Sequence, residues 1–423
     1  MKKYYEPGDV EIIKISLAKW TQGHPARLID IRAQVIDLNI YEDIMEPSMI
    51  LEVTLIDSIN LVQDYPIIGE EVIAVSFVTP GREMPFVKVF NVFSVSGGVS
   101  SPNSKSSIYT IKAVTPFHYF STGVNIRKSY NTTIDVIVTD IINDITKENI
   151  LATPQLQIEK TKGLINLAAP KNSPLATIDL LRQKAVSIQH CSGGVFLFFE
   201  NQYGIHFKSL EKLLTDGKQS VESKVFTYGP GTSTDKERSA FAFRNIINYT
   251  RLSNFDAVSK AAQGTVSNNV RSFDLLTKDS EVTVFKLSEK MGSFVTPDAK
   301  NSVTVSSTFI DKFKDKGQFK FVPKDSSKGN DYIDNTLGSK SAYLALLNES
   351  AVRIYIYGDS YLAAGDVIEL NFPETSGTTE RKFNDRMLSG NYIITKLRHI
   401  VTMEEGAKNK HHISMDCSKV GYK

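Results

Sequence analysis

Alternation of apolar and polar residues near each end of the chain predicts two sets of antiparallel strands in the same order. In the first, SMILEVTLIDS (48–58) leads to Gly69-Glu70-Glu71-Val72-Ile73, a Pro80-Gly81-Arg82-Glu83 turn, KVFNVFSVSG (88–97) and SSIYTIKAVTP (106–116). In the second, VRIYIYGDS (352–360) leads to Gly365-Asp366-Val367-Ile368, a polar loop beginning at Pro373, GNYIITKLRHIV (390–401) and HHISMDCSK (411–419). Two readings are open: a duplicated β-unit, which sets two equivalent surfaces side by side, or the likeness of any two antiparallel sheets with Gly/Pro turns. On 49–56, Met49, Leu51, Val53 and Leu55 point one way, whereas Val72 to Val78 is apolar on both faces. A strand apolar on both faces must be covered on both sides, which favours a closed barrel or a sandwich.

After Pro116 the period changes. In NTTIDVIVTDIINDI (131–145), Ile134, Ile137, Val138, Ile141 and Ile145 recur at helical spacing, and Thr132 with Asp135 resembles a capping box. SPLATIDLLRQKAVS (173–187) opens with Ser173 as N-cap and Pro174 at the first helical position. VFLFFENQYGIHFKSL (195–210) reads as an apolar hairpin turning at Asn201 to Gly204. A strand at 224–228 precedes the loop GPGTSTDKER (229–238), and FRNIINYTRLS (243–253) resumes the β pattern. Residues 256–345 are polar and lysine-rich, with strand-like pieces at 281–287, 302–310 and 318–322, before a helical stretch around SAYLALLNES (341–350). The expected fold is mainly β with α+β insertions. It comprises a first β-barrel domain (1–116), an α+β domain (117–222), a second β-barrel domain split into 223–255 and 346–423, and a polar inserted domain (256–345).

At 423 residues the chain is long enough for three or four domains. Lys plus Arg number 49 and Asp plus Glu 47, so no global field pulls the chain onto nucleic acid or anionic lipid. Cys191 and Cys417 lie far apart in unrelated contexts, which predicts no disulfide framework and fits a reducing compartment. The opening MKKYYEPGDVEIIKISLAKW lacks the apolar core of a secretory signal, and no run approaches a membrane span. The expectation is a soluble chain made in the cytoplasm and carried elsewhere by assembly.

Candidate chemistry is sparse. GPGTSTDK (229–236) lacks the spacing of a phosphate loop and reads as a flexible loop. His190 and Cys191, if adjacent on one strand, point to opposite faces and do not pair as base and nucleophile; a buried Cys in a packed strand is the plainer reading. His411 and Cys417 share a strand face but sit about 20 Å apart, too far to hold one ion. The carboxylate pairs Glu70-Glu71, Asp140-Asp144 and Glu404-Glu405 suit solvated turns and faces, and nothing sets two of them across a cleft. The aromatic clusters at 195–199 and 353–357 read as core packing and cross-strand ladders, or as a patch that docks a partner. No catalytic, cofactor-binding or metal-binding residue is expected, and no cofactor.

In the order of its parts, and in EPSMILEVTLIDS (46–58), YPIIGEEVIAVSF (65–77), VFNVFSVSGGVSSPNSKSSIYTIKAVTP (89–116) and the strands from Gly390 to Lys419, the chain resembles the central baseplate hub proteins of contractile-tailed bacteriophages of the T-even type. The resemblance implies a non-enzymatic homotrimer with two tube-like barrels per chain, six around a ring. Such a ring adapts a sixfold tail tube to a threefold central spike, which often carries a cell-wall lysin. It also implies contacts with a tube-initiator protein and baseplate wedges, a channel passing the tape measure and then DNA without specific binding, no membrane insertion, and a place in the virion tail baseplate assembled in the host bacterial cytoplasm. A near-neutral chain suits that channel, since a basic one would hold DNA by counterion release.

Lys88, Ser94, Lys396 and Arg398 interrupt apolar strands and mark either the inner wall of the ring or ordinary solvent-facing positions. The Met84-Pro85-Phe86 tip of loop 78–86 either reaches a neighbouring ring or packs on its own domain. Strand 195–199 is either inter-subunit or internal. Two rival functions stand: a tail-associated cell-wall hydrolase with 256–345 as its lytic part, although that span has no His or Cys, and a peripheral receptor-binding baseplate protein.

Overall fold

The computed structural model describes residues 5–21, 24–58, 61, 65–100, 106–149, 154–168, 171–219, 224–229, 243–253, 256–297, 307–314, 317–324, 332–347, 350–374, 385, 387–403 and 408–419. The protein is mainly β, and its alternating segments become strands that bury one side-chain row and turn out the other. The N-terminal unit holds β1 (Glu11–Thr21), β2 (His24–Asp30), β3 (Val35–Asp43), β4 (Ile50–Asp57), β5 (Glu71–Val78), β6 (Phe86–Ser100) and β7 (Ser107–Val114). They pair in the order β3-β4-β7-β6-β5-β1-β2. Leu38, Ile40, Leu51, Val53, Ile73, Val75, Phe77, Phe86, Phe90 and Ile111 fill the interior.

An α+β domain follows, with α1 (Pro116–Ser121), β8 (Ser129–Thr132), α2 (Ile134–Asn149), β9 (Leu156–Ile158), β10 (Ile165–Ala168), α3 (Pro174–Lys184), β11 (Phe196–Asn201), β12 (Gly204–Ser209) and α4 (Leu210–Lys218). Ser173 caps α3 by accepting from the Ala176 amide at 3.3 Å, with Pro174 in the first turn. The expected capping box at α2 does not form. Thr132 ends β8, and the Asp135 carboxylate accepts instead from the amide and hydroxyl of Thr161, 26 residues on. Every residue of β11 is buried, Phe196 and Phe198 against α2 and α3 and Leu197 and Phe199 against the opposite core, so this strand is internal.

The second β-unit is discontinuous. β13 (Val225–Tyr228) and β14 (Asn245–Ser253) precede the inserted domain, and β18 (Ser350–Tyr357), β19 (Val367–Asn371), β20 (Gly390–Thr402) and β21 (Lys410–Lys419) follow it. Between them lie α5 (Ala257–Ala262), β15 (Ser267–Asp274), β16 (Ser280–Lys286), α6 (Leu287–Lys290), α7 (Ser307–Phe313), β17 (Gln318–Lys324) and α8 (Ile333–Leu347). Residues 307–310, expected as strand, open α7. Its Phe309 and Phe313 pack against each other and against the α8 core, so tertiary burial overrides the local strand preference of Thr308-Phe309-Ile310, while 302–306 lie outside the described residues. The inserted three-stranded sheet, β16-β15-β17, lays Val270 and Phe285 inward. Among the described residues, no helix is long and apolar enough to cross a membrane.

The second unit closes on itself in the order β19-β13-β14-β18-β21-β20, with β20 pairing back to β19. Its pairing repeats that of the first unit at matching positions, apart from a further shift in β6 between Gly97 and Val99 and one in β14 between Arg251 and Ser253 that have no counterpart. β4 meets β7 with Leu51 opposite Ala113, and β18 meets β21 with Val352 opposite Cys417. β5 meets β6 at Val72 and Asn91, and β19 meets β20 at Val367 and Ile393. Two irregularities recur at matching places. Against their hairpin partners, β6 shifts register between Val92 and Ser94, and β20 between Ile394 and Lys396. Against β4 and β18, β3 shifts between Val35 and Asp37, and β14 between Ile246 and Asn248. Generic antiparallel likeness gives no reason for bulges to coincide, so the structure decides for duplication. The units part at the next strand: β1 runs antiparallel to β5, whereas β13 runs parallel to β19.

β20 joins the two units. Its first half, Gly390–Ile393, pairs with β19, and its second half, Lys396–Thr402, pairs with β3 from Asp43 to Asp37. The switch falls at the Thr395 bulge, whose carbonyl accepts from the Ile44 amide at 3.0 Å. The start of β21 also reaches the first unit, through the Asp9–Lys410 bridge and the His411 amide donating to the Gly8 carbonyl at 2.7 Å. The β20–β21 hairpin is therefore wall to both barrels.

Two buried polar groups mark this waist. His399 Nδ1 and His411 Nε2 lie 3.0 Å apart, sharing one proton between neutral rings packed on Phe77 and Phe86. Gly358 leaves room for them, since a Cβ there would sit 2.1 Å from the His411 ring. Glu42 of β3 is also buried, and its carboxylate accepts from the Gln202 amide of the β11–β12 turn at 3.0 Å and from the Ala364 amide of the second unit at 2.7 Å. One carboxylate thus ties three parts of the chain together.

Burial drives the histidines and the carboxylate in opposite directions. Desolvation lowers His411 to about 3 and His399 well below the usual imidazole range, so both stay neutral while an unfolded chain takes up protons below pH ~6.5. Their contribution to stability is present above that pH and lost as pH falls, on the order of 1–2 kcal/mol per ring by pH 5. The denaturant midpoint should drop between pH 7 and 5, and a His399→Leu/His411→Leu double variant should show a shallower drop; an unchanged slope counts against the neutral pair. Desolvation raises Glu42 to about 8 despite the two amides, so its contribution is full below the ordinary Glu range and lost as pH rises towards 8. Glu42→Ala orphans the buried Ala364 amide and the half-buried Gln202 amide and should cost about 2–4 kcal/mol in urea unfolding at pH 6, with faster hydrogen exchange at both.

Candidate functional surface on the shared sheet

The side-chain row opposite the two cores forms one surface across both barrels. On β3, Leu38 and Ile40 point inward and Asp37, Asn39, Tyr41 and Asp43 outward; on β4, Glu52 and Thr54 are outward; on β7, Thr110 and Lys112. Across β20 the row continues through Lys396 and Arg398, then Ser414 and Asp416 of β21 and Arg353 and Tyr355 of β18. These groups are satisfied laterally, strand to strand. Lys396 pairs with Asp43 at 2.9 Å, Lys112 with Glu52 at 3.0 Å, and Arg353 with Asp416 at 2.6 Å. Arg398 donates to Asn39 Oδ1 at 3.0 Å and lies 5.3 Å from the Tyr41 ring centre, while Tyr41 donates to Glu52. Asn39 in turn donates to Asp37. Four carboxylates face four basic groups in this ladder, so the surface is polar but carries no net field.

The duplicated positions Glu52 and Arg353, and their partners Lys112 and Asp416, carry the same ion pair with its sign reversed. The site keeps a pair and is indifferent to its polarity, as expected where the pair neutralises a wall and recognises no charge.

Of the four polar residues read from the sequence as one group, Ser94, Lys396 and Arg398 share this surface. Lys88 does not. It precedes the Phe93 bulge, which shifts the two-residue period by one, so Lys88 lies on the interior row of β6 and reaches Glu200 of β11 at 3.1 Å. Thr395 performs the same shift in β20, which is why Tyr392 and Ile394 before it and Leu397 after it face one core.

Loop 78–86 packs on its own chain. Phe86 is buried and stacks on Phe77 at 4.8 Å; Arg82 forms an ion pair with Asp359 and lies over Tyr361; the Met84 amide donates to the Tyr361 hydroxyl at 2.8 Å. The loop thereby clasps the first unit to the second, with the Met84 side chain exposed. The aromatics at 353–357 divide by row: Ile354 and Ile356 are core, whereas Tyr355 and Tyr357 flank His412 on the outer face.

Cys191 departs from expectation, being exposed and outside any strand, because the chain after Ser187 turns irregularly towards β11. His411 and Cys417 are both buried on the core face of β21, with His412 on the other. Glu71 is also buried and takes the Ile68 and Gly69 amides, while Asp140 and Asp144 share Lys128. Most of GPGTSTDKER, and Glu404-Glu405, lie outside the described residues.

Exchanging the polarity of one pair tests the wall's indifference. Lys112→Glu should cost about 0.5–1 kcal/mol, the scale for an exposed cross-strand pair turned repulsive. Adding Glu52→Lys should restore most of it, read as recovery of the thermal midpoint at low salt, with the gap narrowing in 0.5 M salt.

No protein-family model matches the sequence, and no curated protein matches it. Solved structures do. A tail protein from Neisseria meningitidis MC58 aligns over 96% of this chain and 96% of its own, at 10% identity and a TM-score of 0.52. The 43 kDa tail protein of prophage MuSo2 from Shewanella oneidensis aligns over 96% of this chain and 98% of its own, at 8% identity and the same TM-score. At such identities the likeness is one of fold, and it extends over nearly the full length of both proteins. This chain has the fold of phage tail proteins.

Proposed function

We propose that this chain is a structural protein of a phage tail or related injection machine, the central hub of a baseplate, acting as a homotrimer. Three chains carrying two register-equivalent β-units each make a ring with six similar surfaces and only threefold chain symmetry. One face of that ring meets a sixfold tail tube or its initiator. The α+β and inserted domains, present once per chain, keep the threefold identity that a central spike needs, and baseplate wedges approach from outside. The observation that carries this reading is the coincidence of pairing and bulges between the two units.

The charge-balanced ladder is assigned to the channel wall. Tape measure and DNA slide past paired charges without the counterion release that fixes a nucleic acid to a basic surface. The chain is placed in the virion tail and assigned no catalytic step.

Mass photometry of the purified chain, alone and co-expressed with its spike, should give a species near three times 47.1 kDa. Negative-stain images should show a ring with a central hole. A monomer under both conditions, or a solid rod, overturns the hub reading. Zymography on peptidoglycan should show no cleared band, and a clear band overturns the non-catalytic assignment.

A further inference from the structure

Two charged residues interrupt rows of phenylalanine at one place in the fold. On β6, Lys88 stands on the interior row between Phe86 and Phe90, and on β11, Glu200 follows Phe196 and Phe198 on the row they share. They form an ion pair at 3.1 Å, with the Lys88 side chain 14% exposed and that of Glu200 6%. Burying such a pair costs more than its attraction returns unless further hydrogen bonds complete both groups. Here both are incomplete. Glu200 Oε1 takes the Lys88 ammonium, but among the described residues Glu200 Oε2 has no hydrogen-bond partner, and Lys88 uses one of its three N–H donors.

Both residues line a cavity of about 630 Å³, a size typical of ligand sites. Three parts of the chain build its walls: Pro85 and Val87 from the first unit, Phe117 and Pro154 from the α+β domain, and Tyr361 from the second unit. Other polar groups of the lining are engaged within the chain. Gln202 Nε2 donates to the Leu362 carbonyl at 3.1 Å, the Tyr203 hydroxyl donates to the Tyr361 carbonyl at 2.7 Å, and the Tyr361 hydroxyl accepts from the Met84 amide at 2.8 Å. Among the described residues that line the cavity, Glu200 Oε2 is the one buried side-chain polar atom without a partner. Met84 and Val87, also in the lining, are 70% and 59% exposed, so an occupant would cover apolar surface that now faces water.

We propose that this cavity binds a side-chain carboxamide, Gln or Asn, carried by an uncharged peptide segment of another protein. The carboxamide oxygen accepts from the Lys88 ammonium and its NH₂ donates to Glu200 Oε2, which completes both groups at once. Charge decides the class of ligand. Lys88 and Glu200 already cancel, so an acidic or basic side chain would bring an unbalanced charge into an apolar site, whereas an aliphatic one would leave Oε2 unpartnered. The flanking residues of the segment are proline or aliphatic, which suit walls of Pro, Val, Phe and Tyr. Because those walls come from both β-units and the α+β domain, the segment binds across their junction. The cavity lies within a single chain, so the site requires no ring around it.

Calorimetric titration of the full chain with capped pentapeptides tests the site. The probes carry Gln, Glu, Lys or Leu at the centre between proline and valine flanks. The Gln peptide should bind, and the Glu, Lys and Leu peptides should bind at least tenfold more weakly. Lys88→Met with Glu200→Leu removes both charges together and leaves neither unpaired, so the unfolding midpoint should hold while the Leu peptide overtakes the Gln peptide. Met84→Glu, at an exposed position of the lining, should weaken the Gln peptide at least fivefold without moving that midpoint. Where the double variant fails to fold, the order of the four peptides on the native chain and on Met84→Glu decides alone. The carboxamide site is overturned if no peptide binds, if a charged or aliphatic peptide binds the native chain as well as the Gln peptide, if the folded double variant keeps the Gln preference, or if Met84→Glu binds unchanged.

Discussion

The architecture depends on one hairpin serving two barrels. β20 cannot continue along β19 and also lie beside β3 with a single side-chain parity, because the two cores fall on the same side of the sheet at different points along the strand. The Thr395 bulge solves this by inserting one residue. Parity shifts, Leu397, His399 and Val401 turn inward, and the local twist increases where the sheet passes from one barrel to the next. Without the extra residue, every side chain from Lys396 onward would exchange faces, burying Lys396 and Arg398.

The waist is also where the chain accepts buried polarity. A pair of neutral imidazoles and a raised carboxyl sit within a shell of Phe, Leu and Ile, each with partners drawn from different parts of the sequence. Such groups contribute little net stability, yet they penalise alternatives heavily, because any shift of one barrel against the other orphans them. Arg82–Asp359 adds a further tie across the same seam, and Lys88–Glu200 ties the first barrel to the α+β domain. The seam is thus specified by polar geometry, whereas each barrel is specified by apolar volume.

Much of this was legible in the sequence because alternation is read directly as facing. The repeated strand order, the Ser173–Pro174 cap and the hairpin at 195–210 all follow from local residue types, and the structure reproduces them. What local pattern could not deliver was parity. Lys88 and Ser94 look alike on a plain alternating strand, and only the bulge between them, a property of pairing with β7, sends one inward and the other out. Helix α7 and the Thr161 tie of Asp135 escaped for a related reason, as both are decided by partners distant in the chain.

The wall shows what duplication conserves when sequence identity is lost. Glu52 and Lys112 have become Arg353 and Asp416, a complete reversal of charge at fixed geometry. A binding site for a charged ligand could not survive that exchange, since one copy would attract what the other repels. A surface whose only electrostatic requirement is cancellation survives it unchanged, because lateral pairing between neighbouring strands satisfies each charge before any ligand arrives. Backbone hydrogen bonding and bulge position fix the geometry, and side chains are left free to vary as long as they leave the wall without net charge.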